Sequence, residues 1–173
     1  LPALTTATDG AFTVASGSSL TANGLTSLTN AKITVSAGGT MTIPNVDDIT
    51  TSVVTLAGNA PLTTAPLSDI NGSRFLLSGG TTFSNITDTI YTGTHTSGGN
   101  DVGSVVSATT IFQATGVDGS SNGSLLNLQS LTQIAVTEPN ASRSSGITVR
   151  AADKGTVDLR NVTTAGVTGD SGD

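Results

Sequence analysis

Apolar residues recur along this chain at a fixed interval. Phe12, Ile33, Val54 and Phe75 stand 21 residues apart, and Val14, Val35, Leu56 and Leu77 repeat the step two positions later. Leu20, Met41, Leu62 and Phe83 keep it, as do Leu25, Val46 and Leu67, and Leu28, Ile49 and Ile70. A bend position holds Gly17, Gly38, Asn59 and Gly80. Asn is the residue that best replaces Gly where the backbone turns left-handed. Within one repeat the apolar residues alternate in short pairs, Ile33/Val35 and Met41/Ile43, which is the period of a strand. Gly-Gly and Pro-Asn punctuate the pairs. The pattern predicts three short strands per repeat and no segment long enough for a helix.

One such repeat cannot bury its apolar side alone. Stacking repeats at the strand spacing of about 4.8 Å pairs each strand with the repeats above and below and gathers the inward slots into columns. The expected fold class is therefore all-β, a single-stranded parallel β-helix or solenoid. Rungs of about 21 residues would give roughly eight rungs and a length of about 35–40 Å. The right-handed rule for parallel crossovers predicts a right-handed coil.

The regularity is greatest over residues 1–90. In the second half, GTVDLRNV (Gly155 to Val162) aligns with GTMTIPNV (Gly39 to Val46). Leu126, Leu128, Leu131 and Ile134 keep the spacing of Met41, Ile43, Val46 and Ile49. Residues 92–110, 115–124 and 137–146 fit no rung and are expected to bulge from the bends of 91–173 as insertions. Residues 1–173 thus form one solenoid domain. Pro2 falls on the slot of Pro44 and Leu4 on that of Val46, so the expectation is a slice of a longer repeat array.

Composition sharpens this picture. The 173 residues include 32 Thr and 21 Ser, 21 Gly, five aromatic residues, no Trp and no Cys, and 10% charged residues. Glu occurs once, which excludes a coiled coil, and the absence of Cys excludes disulfides and thiolate metal sites. A net charge of −6 provides no basic footprint for nucleic acid, and no apolar run approaches a membrane span. An apolar content of 35% is low for a broad core, but a narrow stacked one needs little. The β-branched, soluble Thr suits the outward strand positions.

The Phe12–Val14, Ile33–Val35, Val54–Leu56 and Phe75–Leu77 strands with their Gly bends resemble the right-handed parallel β-helix modules of large secreted bacterial proteins, including filamentous-haemagglutinin-like adhesins. That resemblance implies an extracellular or cell-surface location. It also implies a non-catalytic role as a stalk, fibre or adhesive surface. Its partners would be neighbouring repeats, further copies of the chain assembled head-to-tail or laterally, or a glycan or other cell-surface ligand.

Two other functions fit the pattern. A carbohydrate-active or carbohydrate-binding β-helix would place acids on one face. Asp48 and Asp69 share a slot, and Asp88 follows if its shortened rung is aligned on Ile86. Stacked carboxylates repel or share a cation, so Asp48, Asp69 and Asp88 are the candidate Ca²⁺ ligands. Tyr91 is the one Tyr or Trp available as a sugar platform, and His95 is the one candidate imidazole. Arg143, Arg150 and Lys154 with Glu138 and Asp153 make a further polar group. An ice-binding solenoid would use Thr ranks such as Thr13, Thr34 and Thr55, or Thr21, Thr42 and Thr63, although the positions that would pair with the first rank are Ala15, Ser36 and Ala57.

Overall fold

The computed structural model describes residues 4–94, 110–138 and 148–169. The described chain is all-β. A leading strand β1 (Thr6–Thr8) is followed by β2 (Ala11–Val14), β3 (Ser19–Thr21) and β4 (Ser27–Thr29). The series continues with β5 (Lys32–Val35), β6 (Thr40–Ile43), β7 (Asp48–Thr50), β8 (Val53–Ala57) and β9 (Leu62–Thr64). Next come β10 (Arg74–Ser78), β11 (Thr82–Phe83), β12 (Ile90–Thr94), β13 (Thr110–Thr115), β14 (Leu125–Asn127) and β15 (Gln133–Glu138). The last three are β16 (Thr148–Ala152), β17 (Thr156–Asp158) and β18 (Thr164–Gly169). Within the described residues, no helix is long and apolar enough to cross a membrane.

All pairings between these strands are parallel, and chain neighbours sit in different sheets. One six-stranded sheet has the order β16-β13-β10-β8-β5-β2. Four three-stranded sheets run β1-β4-β7, β3-β6-β9, β11-β14-β17 and β12-β15-β18. The chain thus returns to the same sheet after visiting two others, an arrangement consistent with a solenoid. Register matches the sequence interval in the first half: Phe12 faces Ile33, Ile33 faces Val54, and Val54 faces Phe75. The interval then lengthens. Phe75 faces Phe112 and Phe112 faces Val149, while Gln133 faces Ile90 behind it and Thr164 ahead. Longer steps give fewer passes for the same chain length. The longest described sheet therefore has six strands, where a uniform 21-residue count gives about eight rungs.

The alternation decides the core. Ile33, Val35, Met41, Ile43, Val54, Leu56, Phe75 and Leu77 are all fully buried, as are Leu126, Leu128 and Leu131 of the second half. Their polar neighbours point outward, so a strand of four or five residues is half core and half surface. The turn after the second strand recurs as well. Val46 N donates to Ile43 O at 3.1 Å, Leu131 N to Leu128 O at 3.0 Å, and Val162 N to Leu159 O at 2.9 Å. Those repeats confirm the alignment of GTVDLRNV on GTMTIPNV.

The bend column is left-handed throughout, with φ of 71° at Gly17, 74° at Gly38, 62° at Asn59 and 83° at Gly80. Gly80 also has no room for a side chain, because a Cβ there would lie 2.6 Å from the Asp118 backbone nitrogen. Asn59 is exposed and tolerates the conformation at some cost. Asn59→Ala is expected to lower stability by about 1–2 kcal/mol, and Asn59→Gly to leave it within a few tenths, by urea denaturation.

The insertions are smaller at their edges than the sequence suggests. Strand β12 runs on to Thr94 and β15 to Glu138, and β13 takes Thr110 and Thr115, all inside the stretches 92–110, 115–124 and 137–146. Residues 95–109 and 139–146 lie outside the described residues. Residues 116–124 do form a loop, closed by an antiparallel bridge between Val117 and Gly123.

Candidate functional site

The acidic column forms as a column. Ser27 faces Asp48 in the β4–β7 register, Asp48 bridges Asp69 in parallel, and Leu67 bridges Ile86. The last bridge places Asp88 one step beyond Asp69, as alignment on Ile86 requires. The three carboxylates nevertheless do different things. Asp48 Oδ2 accepts the Ser27 hydroxyl at 3.1 Å, while its Oδ1 is buried without a partner. Asp69 Oδ1 accepts Asn71 N at 2.9 Å.

Asp88 is 9% exposed and both of its oxygens are taken: Oδ2 accepts Ile70 N at 3.0 Å and Oδ1 accepts Ile90 N at 3.2 Å. One 21-residue step earlier the equivalent donor, Ile49 N, bonds the backbone carbonyl of Asp69 at 2.9 Å. The step from Leu67 to Ile86 is two residues short, so the carbonyl that should follow is displaced. The Asp88 side chain supplies the acceptor instead. The candidate Ca²⁺ ligands thus share a column, with Asp48 bonded to the Ser27 hydroxyl and Asp69 and Asp88 bonded to backbone N–H groups. Among the described residues, no three His, Asp or Glu side chains are grouped to hold a metal. Slot spacing told which acids stack; it could not tell where their oxygens point.

Two other acids are more strongly held. Asp158 accepts Arg160 Nε at 3.0 Å and Nη2 at 2.6 Å, and Gln129 Nε2 at 2.8 Å. The Arg160 hydrogen bonds first, and then that of Gln129, hold its carboxyl down from the ordinary 3.8 to about 2. A depressed folded pKa stabilises the fold above the unfolded value and loses that contribution as pH falls from about 3.8 through about 2. Acid titration followed by carboxyl NMR should show Asp158 protonating well below the ordinary 3.8, and Arg160→Ala should shift it upward. In the 116–124 loop, Asp118 accepts Ser120 N at 2.8 Å, Asn122 N at 2.9 Å and Asn122 Nδ2 at 3.0 Å. The Asn122 bonds lower its pKa.

The five aromatic residues all turn inward or partly so. Phe75, Phe83, Tyr91 and Phe112 are buried and Phe12 is half-buried. Tyr91, the one Tyr or Trp in the chain, packs edge-on against Phe112 with centroids 5.1 Å apart, and its hydroxyl donates to Ser73 O at 3.0 Å. Burial pushes its phenol well above the ordinary value, against a smaller opposing pull from Arg74. The Thr ranks fall on separate sheets: Thr13, Thr34 and Thr55 on one, Thr21, Thr42 and Thr63 on a second. A third rank, Thr8, Thr29 and Thr50, lies on the β1-β4-β7 sheet, and its Thr29 and Thr50 hydroxyls are 3.3 Å apart. Arg150, Asp153 and Lys154 are exposed, while His95, Arg143 and the Glu138 side chain lie outside what the structure describes.

A buried hydroxyl ladder also went unread. Ser52 Oγ accepts Ala31 N at 2.9 Å and donates to Thr50 O at 2.8 Å. One 21-residue step on, Ser73 Oγ accepts Ser52 N at 2.8 Å and donates to Ile49 O at 2.6 Å. The signal was present in the 21-residue step from Ala31 to Ser52 to Ser73. No protein-family model, curated protein or solved structure matches the chain.

Proposed function

We propose that these residues are a structural module of an extracellular or cell-surface protein: a stalk, fibre or adhesive segment without catalysis. We take the coil to be a right-handed, single-stranded parallel β-helix, the handedness resting on the crossover rule. The observation that carries this reading is the parallel register itself. Interior residues stack in a column from Phe12 to Phe112, and the polar side chains at bends and short steps serve the backbone. Backbone hydrogen bonds then run along the stack, and those of one turn share an applied load. The outward Thr and Ser keep the surface wetted, and neighbouring repeats or further copies of the chain are the natural partners of strand edges.

Single-molecule extension from the two ends tests this. Turns that carry load release one at a time, each lengthening the chain by about 70–75 Å for 21 residues at 3.3–3.6 Å each. Smooth extension without force peaks, or depolymerisation of an acidic polysaccharide by the purified chain, would overturn the reading.

A further inference from the structure

Three Asn-Gly dipeptides occur in the described residues: Asn23-Gly24, Asn71-Gly72 and Asn122-Gly123. Such a pair carries its own chemistry. The glycine amide nitrogen attacks the asparagine Cγ, loses its proton to the departing amide, and ammonia leaves as a succinimide ring closes. Water then opens either ring carbonyl, giving aspartate or isoaspartate. Glycine favours the step because no Cβ obstructs its nitrogen. No co-reactant but water is needed, so the fold decides whether nitrogen and Cγ can meet.

The three sites differ in that respect. At Asn71 both reacting groups are engaged. Gly72 N donates to Thr92 O at 2.7 Å, and Asn71 Oδ1 accepts Thr92 N at 2.5 Å and Thr92 Oγ1 at 2.8 Å. Gly72 is also buried. At Asn122 the carboxamide is latched, its Nδ2 and its backbone N both donating to the Asp118 carboxylate. The negative charge of Asp118 further opposes loss of a proton from the neighbouring amide. Gly123 is fixed as glycine, since a Cβ would fall 1.9 Å from Lys154 O. Asn23 has neither restraint. It is exposed in the turn closed by Leu25 N to Ala22 O at 3.2 Å, and among the described residues neither its side chain nor Gly24 N makes a hydrogen bond.

We propose that Asn23 is a site of spontaneous deamidation in the folded protein, and that the fold protects Asn71 through the rung ladder and Asn122 through Asp118. Conversion at Asn23 adds a carboxylate to the first turn. Where isoaspartate forms, the main chain lengthens by one atom. The Asn23 carbonyl that accepts Asn45 Nδ2 at 2.6 Å then leaves the main chain as the free α-carboxylate.

Incubation at mildly alkaline pH followed by tryptic peptide mapping tests this. Cleavage after Lys32, Arg74 and Arg143 puts the three asparagines in separate peptides. In the folded protein Asn23 should convert at close to its rate in concentrated urea, while Asn71 converts only in urea. Asp118→Ala should speed Asn122 toward its urea rate, with continued protection of Asn71 in the same sample reporting that the fold is intact. Equal rates at Asn23 and Asn71 in the folded chain would sink the proposal. An Asn122 rate unmoved by Asp118→Ala would remove the latch.

Discussion

Asp88→Ala will destabilise the fold by about 2–4 kcal/mol, because it strips the acceptor from two backbone N–H groups at once. Ile70 is fully buried, so its N–H has no water to turn to. Ile90 N loses the 3.2 Å bond that closes the short turn into β12. Asp48 stands one column position away from Asp69 and gives the opposite expectation. Its Oδ1 is already buried without a partner, so Asp48→Asn will be neutral or mildly stabilising. The two results separate a backbone-serving carboxylate from a ligand column. Were the three acids a Ca²⁺ site, all three variants would weaken the fold in millimolar calcium, and EDTA would abolish the difference. Urea denaturation of Asp48→Asn, Asp69→Asn and Asp88→Ala in EDTA and in calcium distinguishes the cases; superimposable curves in the two buffers are expected for each.

Phe75→Ala is the other large effect, at about 3–5 kcal/mol. Phe75 is fully buried, stacks on Phe83 with centroids 5.6 Å apart, and stands between Val54 and Phe112 in its column. It occupies the last 21-residue step before the register lengthens, so the two halves of the six-stranded sheet meet at this layer. A narrow core has few side chains per layer and cannot collapse sideways into the void, which places the cost toward the upper end. Phe75→Leu will recover most of it, since volume and shape are largely kept. Thermal unfolding followed by circular dichroism gives the comparison. An Ala variant as stable as the parent would mean that this layer is not continuous core.

Much of this was legible from residue order. The alternation at Ile33/Val35 and Met41/Ile43 marked inward slots because strand side chains alternate faces with no other local option. The column Gly17, Gly38, Asn59 and Gly80 marked left-handed bends because few side chains tolerate that backbone. The slot shared by Asp48, Asp69 and Asp88 was also correct as a position. The hydrogen bonding of Asp88 was not legible, since the direction of a carboxylate depends on which backbone donor lacks a partner, and that lack arose only from the short step between Leu67 and Ile86. The latch between Asp118 and Asn122, and the capture of Asp158 by Arg160 and Gln129, are likewise products of loops and lateral stacking.

By itself, then, the order of residues determined the strand period, the 21-residue step, the bend conformation and the interior columns. Each of these is a local or strictly periodic property of the chain. Only the tertiary structure decided where the register lengthens to reach Phe112 and Val149, that Tyr91 is spent inside the core, that the Thr ranks divide over separate faces, and that Asp88 works as a surrogate backbone carbonyl. Those outcomes depend on which distant backbone groups face one another once the turns are stacked.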